Sequence, residues 1–435
     1  MQADVIIIGA GASGLMAAHK LSAANKTVLV MEAKSRIGGR IHTLADTHFT
    51  GTAEAGAEFI HGKLPTTFNL IKEAGLQITK TGGRWLKFEN GKWEQSFSII
   101  DHEEEIIEKL KKLSTDMTLD AFLENYFTDK KYTHTKDSLK RYVEGYDAAD
   151  IKKISAHSFL QEWEEENEGQ FRIDGGYGKL MDWLAKKITE KNSQVVLSTP
   201  VTAIDWQKNK VEITTTTNET FIAGKVIITV PLGVLQLATN ETGSIIFHPS
   251  LPQKMNAAKE MGFSGVIKIL MQFKNDFHEK KIVDHPKSFF IKDMGFAITD
   301  AFYSTWWTQL PQKNNSLTGW LAGPPAVQAR HSTNDELLEK ALDALQYIFN
   351  IKKNELQNLL VHHSIHNWTN EPYIRGAYSY TTLQTKEAIN EMLKSEAETL
   401  FFAGEALQEG TVTGTVEAAL ISGQKAAEKI LKSIN

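Results

Sequence analysis

The chain has no cysteine, so disulfides, thiolate nucleophiles, sulfur-ligated metals and thioether-tethered cofactors are all excluded. Proline is scarce, at 10 of 435 residues, and no low-complexity or repeated segment interrupts the sequence. No run of eighteen apolar residues occurs that could cross a bilayer, and the N-terminus lacks the basic-then-apolar pattern of a signal peptide. These features lead us to expect a cytoplasmic protein without a membrane partner. Positive charge is not in surplus either: 48 Lys and Arg against 53 Asp and Glu leave a formal charge of -5, which argues against a nucleic-acid partner. What remains is a folded composition, 41% hydrophobic and 23% charged, long enough for two or three domains of ~150 residues.

The N-terminal end carries the clearest pattern. Asp4 to Ile8 is a β-branched apolar run of the kind buried on both faces of a parallel sheet. Gly9, Gly11 and Gly14 follow in G-x-G-x-x-G spacing, then a helical stretch, then a second apolar run from Thr27 to Met31 that closes on Glu32. The three glycines serve different ends: Gly9 permits the tight turn, Gly11 the close approach of a pyrophosphate, and Gly14 the packing of helix on strand. Ser13 stands at the helix start, among the N–H donors. Glu32 lies roughly 20 residues on, where a carboxylate accepts from ribose hydroxyls, with Ala33 beside it. A further stretch, Arg36, Gly38, Gly39 and Arg40, offers guanidinium and backbone donors for a diphosphate.

With that extension the chain resembles the flavin-dependent amine oxidases, the family of monoamine oxidases, polyamine oxidases and flavin histone demethylases. The resemblance implies a Rossmann-type α/β domain holding FAD, a second α+β substrate domain on a mixed sheet, and oxidation of an amine to an imine by hydride transfer to flavin N5. Oxygen would then reoxidise the flavin and give hydrogen peroxide. Further segments carry the likeness. Gly56, Ala57 and Glu58 lie in the stretch similar to the family's segment beside the isoalloxazine ring, and His61 follows where polyamine oxidases orient the substrate amine. Val201 matches the adenine end and Trp368 opens the segment that runs past the flavin. Gly404 and Glu405, then Thr413, Gly414, Thr415 and Val416, match the strand and helix start at the FAD ribityl and pyrophosphate.

Lys268 is one lysine inside an apolar strand, where a charge must be paired or functional. It matches the family's lysine that holds a water against flavin N5. Tyr378 matches one wall of the aromatic cage, and Thr411 stands where monoamine oxidases have the second tyrosine, so the slot is expected to lack one wall and to suit a longer amine. Ala377 occupies the place of the flavin-linked cysteine of covalent members, so FAD is expected without a covalent link.

The expected FAD-binding domain is discontinuous, 1–75, 172–250 and 385–435, with 76–171 and 251–384 forming the substrate domain. No metal is expected; a homo-oligomer is possible. The acid run Glu162, Glu164, Glu165, Glu166 and Glu168 could steer a polycation, or simply form a solvated helix face. Two other readings stay open: an L-amino-acid oxidase, for whose substrate carboxylate Arg172, Arg330 and Arg375 are the available cations, and a non-catalytic FAD-binding partner protein.

Overall fold

The computed structural model describes residues 2–62, 64–94, 100–165, 169–277, 282–283, 289–290, 293–408, 410 and 413–434. Strand β1 (Gln2–Ile8) runs into helix α1 (Ala12–Ala23) and strand β2 (Val28–Met31), and β1 and β2 pair in parallel. The apolar run is buried on both faces because two cores sandwich it. Val5, Ile7, Val28 and Val30 face the core built by α1 and helices Gly178–Thr189 and Val416–Ile434. Ile6, Ile8, Leu29 and Met31 face a second core that includes Ile389 and Phe402. Each such side chain taken from water contributes about 1.5–3 kcal/mol, so the run is among the strongest fixed points of the fold.

Around β1 an eight-stranded sheet assembles from distant stretches. Its order is Ile246–His248, Val201–Gln207, Lys210–Thr215, Thr220–Ile228, β1, β2, Gln194–Val196, with Leu400–Phe402 also pairing in parallel to Thr220–Ile228. The hairpin between Val201–Gln207 and Lys210–Thr215 turns at Asn209, whose φ of 60° an asparagine tolerates.

A seven-stranded mixed sheet stands apart, in the order Leu360–Asn367, Val266–Phe273, Ser316–Ala322, Thr305–Trp307, Met294–Thr299, Arg84–Glu89, Lys92–Glu94. Val266–Phe273 is buried at every residue, being covered on both edges by neighbouring strands and on one face by helix Asn334–Phe349. That helix starts as the sequence suggests: Thr333 and Glu336 form a reciprocal capping box. Helices Glu103–Lys111, Leu119–Tyr126, Thr133–Gly145 and Ala156–Glu165 share a further apolar core. Among the described residues no helix is long and apolar enough to cross a membrane.

Candidate active site

One cavity of about 800 Å³ runs from the glycine turn after β1 to the face of the seven-stranded sheet, a size suited to a large cofactor with room beyond it. At the first end, Gly9 has φ of 106°, and a Cβ on Gly14 would lie 1.9 Å from the Gly9 carbonyl oxygen, so the turn and α1 touch backbone to backbone. Gly11, the N-cap of α1, is different. A Cβ there would meet nothing within 4 Å, because Gly11 faces the open cavity. Ser13 Oγ is buried, lines the same space and has no hydrogen-bond partner.

Glu32, buried at the end of β2, accepts from Ala10 N at 2.8 Å and Lys34 N at 2.9 Å, and each oxygen keeps a lone pair for a hydroxyl. Burial pushes its pKa up, against the pull of those two N–H groups. Gly38 and Gly39 both take positive φ and ride on the first loop, Gly38 N donating to Ala10 O at 2.8 Å. An open helix N-terminus and an orphan hydroxyl offer donors, and the carboxylate beyond them an acceptor, the combination that suits a dinucleotide.

Ala33, Gly38, Gly39, Arg40, Gly56, Ala57, Val201, Trp368, Gly404, Thr413, Gly414, Thr415 and Val416 line the cavity with Gly9, Gly11, Ser13 and Glu32. Two residues singled out from the sequence do not. Gly14 is packed against the turn, and Arg36 donates to the carbonyls of Ile37, Gly39 and Ile41, bracing the glycine pair from behind instead of reaching a diphosphate. Glu405 lines the cavity but is engaged already, accepting from Arg40 at 2.7 Å and Ser379 Oγ at 2.6 Å. Arg40 also donates to Ala377 O, so this pair locks the segment around Ala377 to the first loop.

At the far end, Lys268 lines the cavity although only 1% of it is exposed. Its Nζ donates to Glu58 Oε2 at 2.8 Å and to Gly56 O at 3.1 Å, and lies 5.1 Å from the Trp307 ring. Glu58, expected against the cofactor, lines the cavity too, but its carboxylate is taken up by protein donors. Burial alone would raise its pKa; the Lys268 and Arg172 cations outweigh this and hold it at about 2.

His61, exposed on the short strand Ile60–His61, lines the cavity. Enclosure by protein lowers its pKa to about 4, so the ring is neutral near pH 7, and Nδ1 sits 3.2 Å from Gln170 Nε2. Tyr378 stands nearly parallel to Trp320, at 20° with centroids 6.5 Å apart, and both line the cavity. Trp320 escaped the sequence reading: nothing in a strand pattern distinguishes a tryptophan facing a cavity from one in a core. Thr411 lies outside the described residues, as do Glu166, Glu168 and the side chain of Glu165. Glu162 and Glu164 line the mouth, Glu164 paired with Lys111 at 2.9 Å.

Of the three arginines considered for a substrate carboxylate, none lines the cavity. Arg172 is held by Glu58, Thr308 O and Leu310 O, and Arg375 donates to Pro372 O and Thr242 O. Arg330 also lies off its wall.

Residues 12–431 match the family described as flavin containing amine oxidoreductase. The chain belongs to that family. As a flavin amine oxidoreductase it is 28% identical to polyamine oxidase 2 of Arabidopsis thaliana over 98% of this chain and 87% of the relative. It is also 28% identical to human lysine-specific histone demethylase 2, over 98% of this chain but 53% of that protein, so it spans about half the length of that relative. Among solved structures, a putrescine oxidase bound to putrescine shares the fold with a TM-score of 0.79 at 18% identity, each chain covered to 99%. Cyclohexylamine oxidase from Brevibacterium oxydans does so at 0.79 and 19%, with the same coverage. The cofactor of this oxidoreductase is a flavin, and the donors at Gly11 and Ser13 with the acceptor at Glu32 fit FAD.

Proposed function

We propose that the protein oxidises an aliphatic, polyamine-like amine with non-covalently held FAD, and that oxygen is the final electron acceptor, giving hydrogen peroxide. The observation that carries this is a single cavity with a dinucleotide cradle at one end and Lys268, His61 and the Trp320–Tyr378 pair at the other. In this reading residues 1–75, 172–250 and 385–435 hold the cofactor and 76–171 and 251–384 receive the amine. Strands from the first group make up the sheet around β1, which supports the division.

When bound, FAD supplies the two-electron acceptor for the C–H bond beside the nitrogen. The chain does the rest. Gly11 and the α1 N-terminus would hold the pyrophosphate, Ser13 would donate its spare O–H, and Glu32 would accept from the ribose. Trp320 and Tyr378 confine the amine from two sides and exclude water, and the neutral His61 accepts a hydrogen bond from it or donates one. Lys268 keeps a donor at the cavity wall. An alkylammonium of pKa ~10 must release a proton before its lone pair can assist oxidation, and a cavity that none of Arg172, Arg330 and Arg375 lines does not favour a substrate carboxylate.

The test is direct. Isolated protein should be yellow, bleach anaerobically with putrescine, spermidine or an N-acetylated polyamine, and release peroxide in air. Bleaching by L-amino acids and not by amines would overturn the reading.

A further inference from the structure

We propose that Glu58 is a positioning residue that fixes the ammonium of Lys268 at the cavity wall, leaving one N–H directed to the reacting space. The proposal rests on the amine-oxidase reading above. Glu58 has a side chain 2% exposed. Its Oε1 accepts from Arg172 Nε at 2.8 Å and Gln309 Nε2 at 3.0 Å; its Oε2 accepts from Lys268 Nζ at 2.8 Å and Trp307 Nε1 at 3.1 Å. Those donors come from Val266–Phe273, Thr305–Trp307, the turn after it and strand Gln170–Ile173. Such a carboxylate is too committed to serve as a base for substrate. It is an anchor.

The anchor matters because a lysine stem is long and flexible, and an ammonium is a point charge with no directional preference of its own. Lys268 has three N–H groups. Glu58 takes one and Gly56 O takes another, both from the segment whose Gly56 and Ala57 line the cavity. The third is thereby indexed to that segment. Glu58 cannot follow the lysine elsewhere, since Arg172, pinned by Thr308 O and Leu310 O at 3.1 Å each and stacked over Phe59 at 4.7 Å, holds its other oxygen. At its low pKa the carboxylate stays ionised throughout the working range, so the anchor does not switch off with mild acid.

The experiment uses FAD-loaded protein with Glu58→Gln, which preserves shape and one acceptor, and Glu58→Asp, which preserves charge at shorter reach. With saturating amine, anaerobic bleaching should slow at least tenfold in Glu58→Gln with KM within twofold of wild type, and Glu58→Asp should recover part of the rate. In a Lys268→Met background, Glu58→Gln should add less than a twofold further loss, because both changes remove the same contact. Equal tenfold losses in both backgrounds, or a wild-type rate in a folded Glu58→Gln protein, would overturn the proposal. Acylation of Lys268 by acetic anhydride, read by mass spectrometry, gives a measure independent of turnover. Lys268 should label at least fivefold faster in Glu58→Gln than in wild type, and unchanged labelling counts against the anchor even if no amine is ever found to bleach the flavin. Faster labelling without amine turnover would instead leave the anchor standing and sink the amine-oxidase reading.

Discussion

Lys268 and Trp320 stand directly opposite each other on antiparallel strands, so their side chains leave the sheet on the same face. That register places an ammonium and one wall of an aromatic slot side by side over the cavity. Tyr378, from a separate segment, closes the slot at 6.5 Å. In the function proposed above, Trp320 is the wall that faces Tyr378, whatever Thr411 does.

Removing that wall should be felt by substrate more than by fold. Trp320→Ala should lower kcat/KM for a preferred amine by about two- to tenfold, the factor that ~0.5–1.5 kcal/mol of aromatic packing represents. Trp320→Phe should retain most of it. Steady-state kinetics on both variants check this, and equal loss in the two would argue that ring size, not aromatic contact, matters.

Gly11→Ala and Gly14→Ala should part company. A methyl at position 11 enters open cavity with an ordinary backbone conformation, so the protein should fold and melt normally yet lose bound flavin. At position 14 it would collide with Gly9 O, and thermal stability itself should fall. The ratio of flavin to protein absorbance, read beside a melting curve, separates the two effects.

His61, neutral above about pH 4, should add no ionisation of its own to activity between pH 6 and 9. The rise of kcat/KM with pH should follow loss of the substrate's proton. Wild type and His61→Ala should then give parallel profiles, the variant displaced downward by about tenfold or more; an inflection near pH 6.5 present only in wild type would contradict the assignment.

Glu54 offers a stability test away from the chemistry. Burial raises its pKa to about 7, although Tyr177 N donates to it at 2.6 Å. An acid whose folded pKa exceeds the unfolded value near 4.5 costs stability as pH climbs from 4.5 through 7, because the unfolded chain releases its proton first. Glu54→Gln keeps an acceptor and removes that penalty. Urea unfolding should show the variant gaining on wild type between pH 5 and pH 8, by about 1–3 kcal/mol.

A flavin held only by contacts should come away with acid or denaturant. Filtration after guanidinium treatment should leave colourless protein and yellow filtrate; colour retained on the chain would show a covalent link despite Ala377.

Much of the fold was legible because periodicity and glycine spacing are local. The β1 run, the G-x-G-x-x-G turn and Glu32 lie within one supersecondary unit, and the hairpin at Asn209 announces itself. Lys268 was visible as a charge in an apolar strand. Its partner was not: Glu58 meets donors at 172, 268, 307 and 309, and only strand register and sheet packing bring those together. Arg36 misled for a related reason. Sequence places its backbone near the diphosphate loop, but its side chain turns back to three carbonyls of that loop.

The cavity is walled both by Gly9 near the start of the chain and by Val416 near its end, and a Cβ on Gly423 would sit 2.1 Å from Ser13 O. The cradle is therefore complete only when the helix Val416–Ile434 is docked on the turn that opens α1. A chain lacking that helix is expected to be colourless, because one wall of the flavin cradle goes with it.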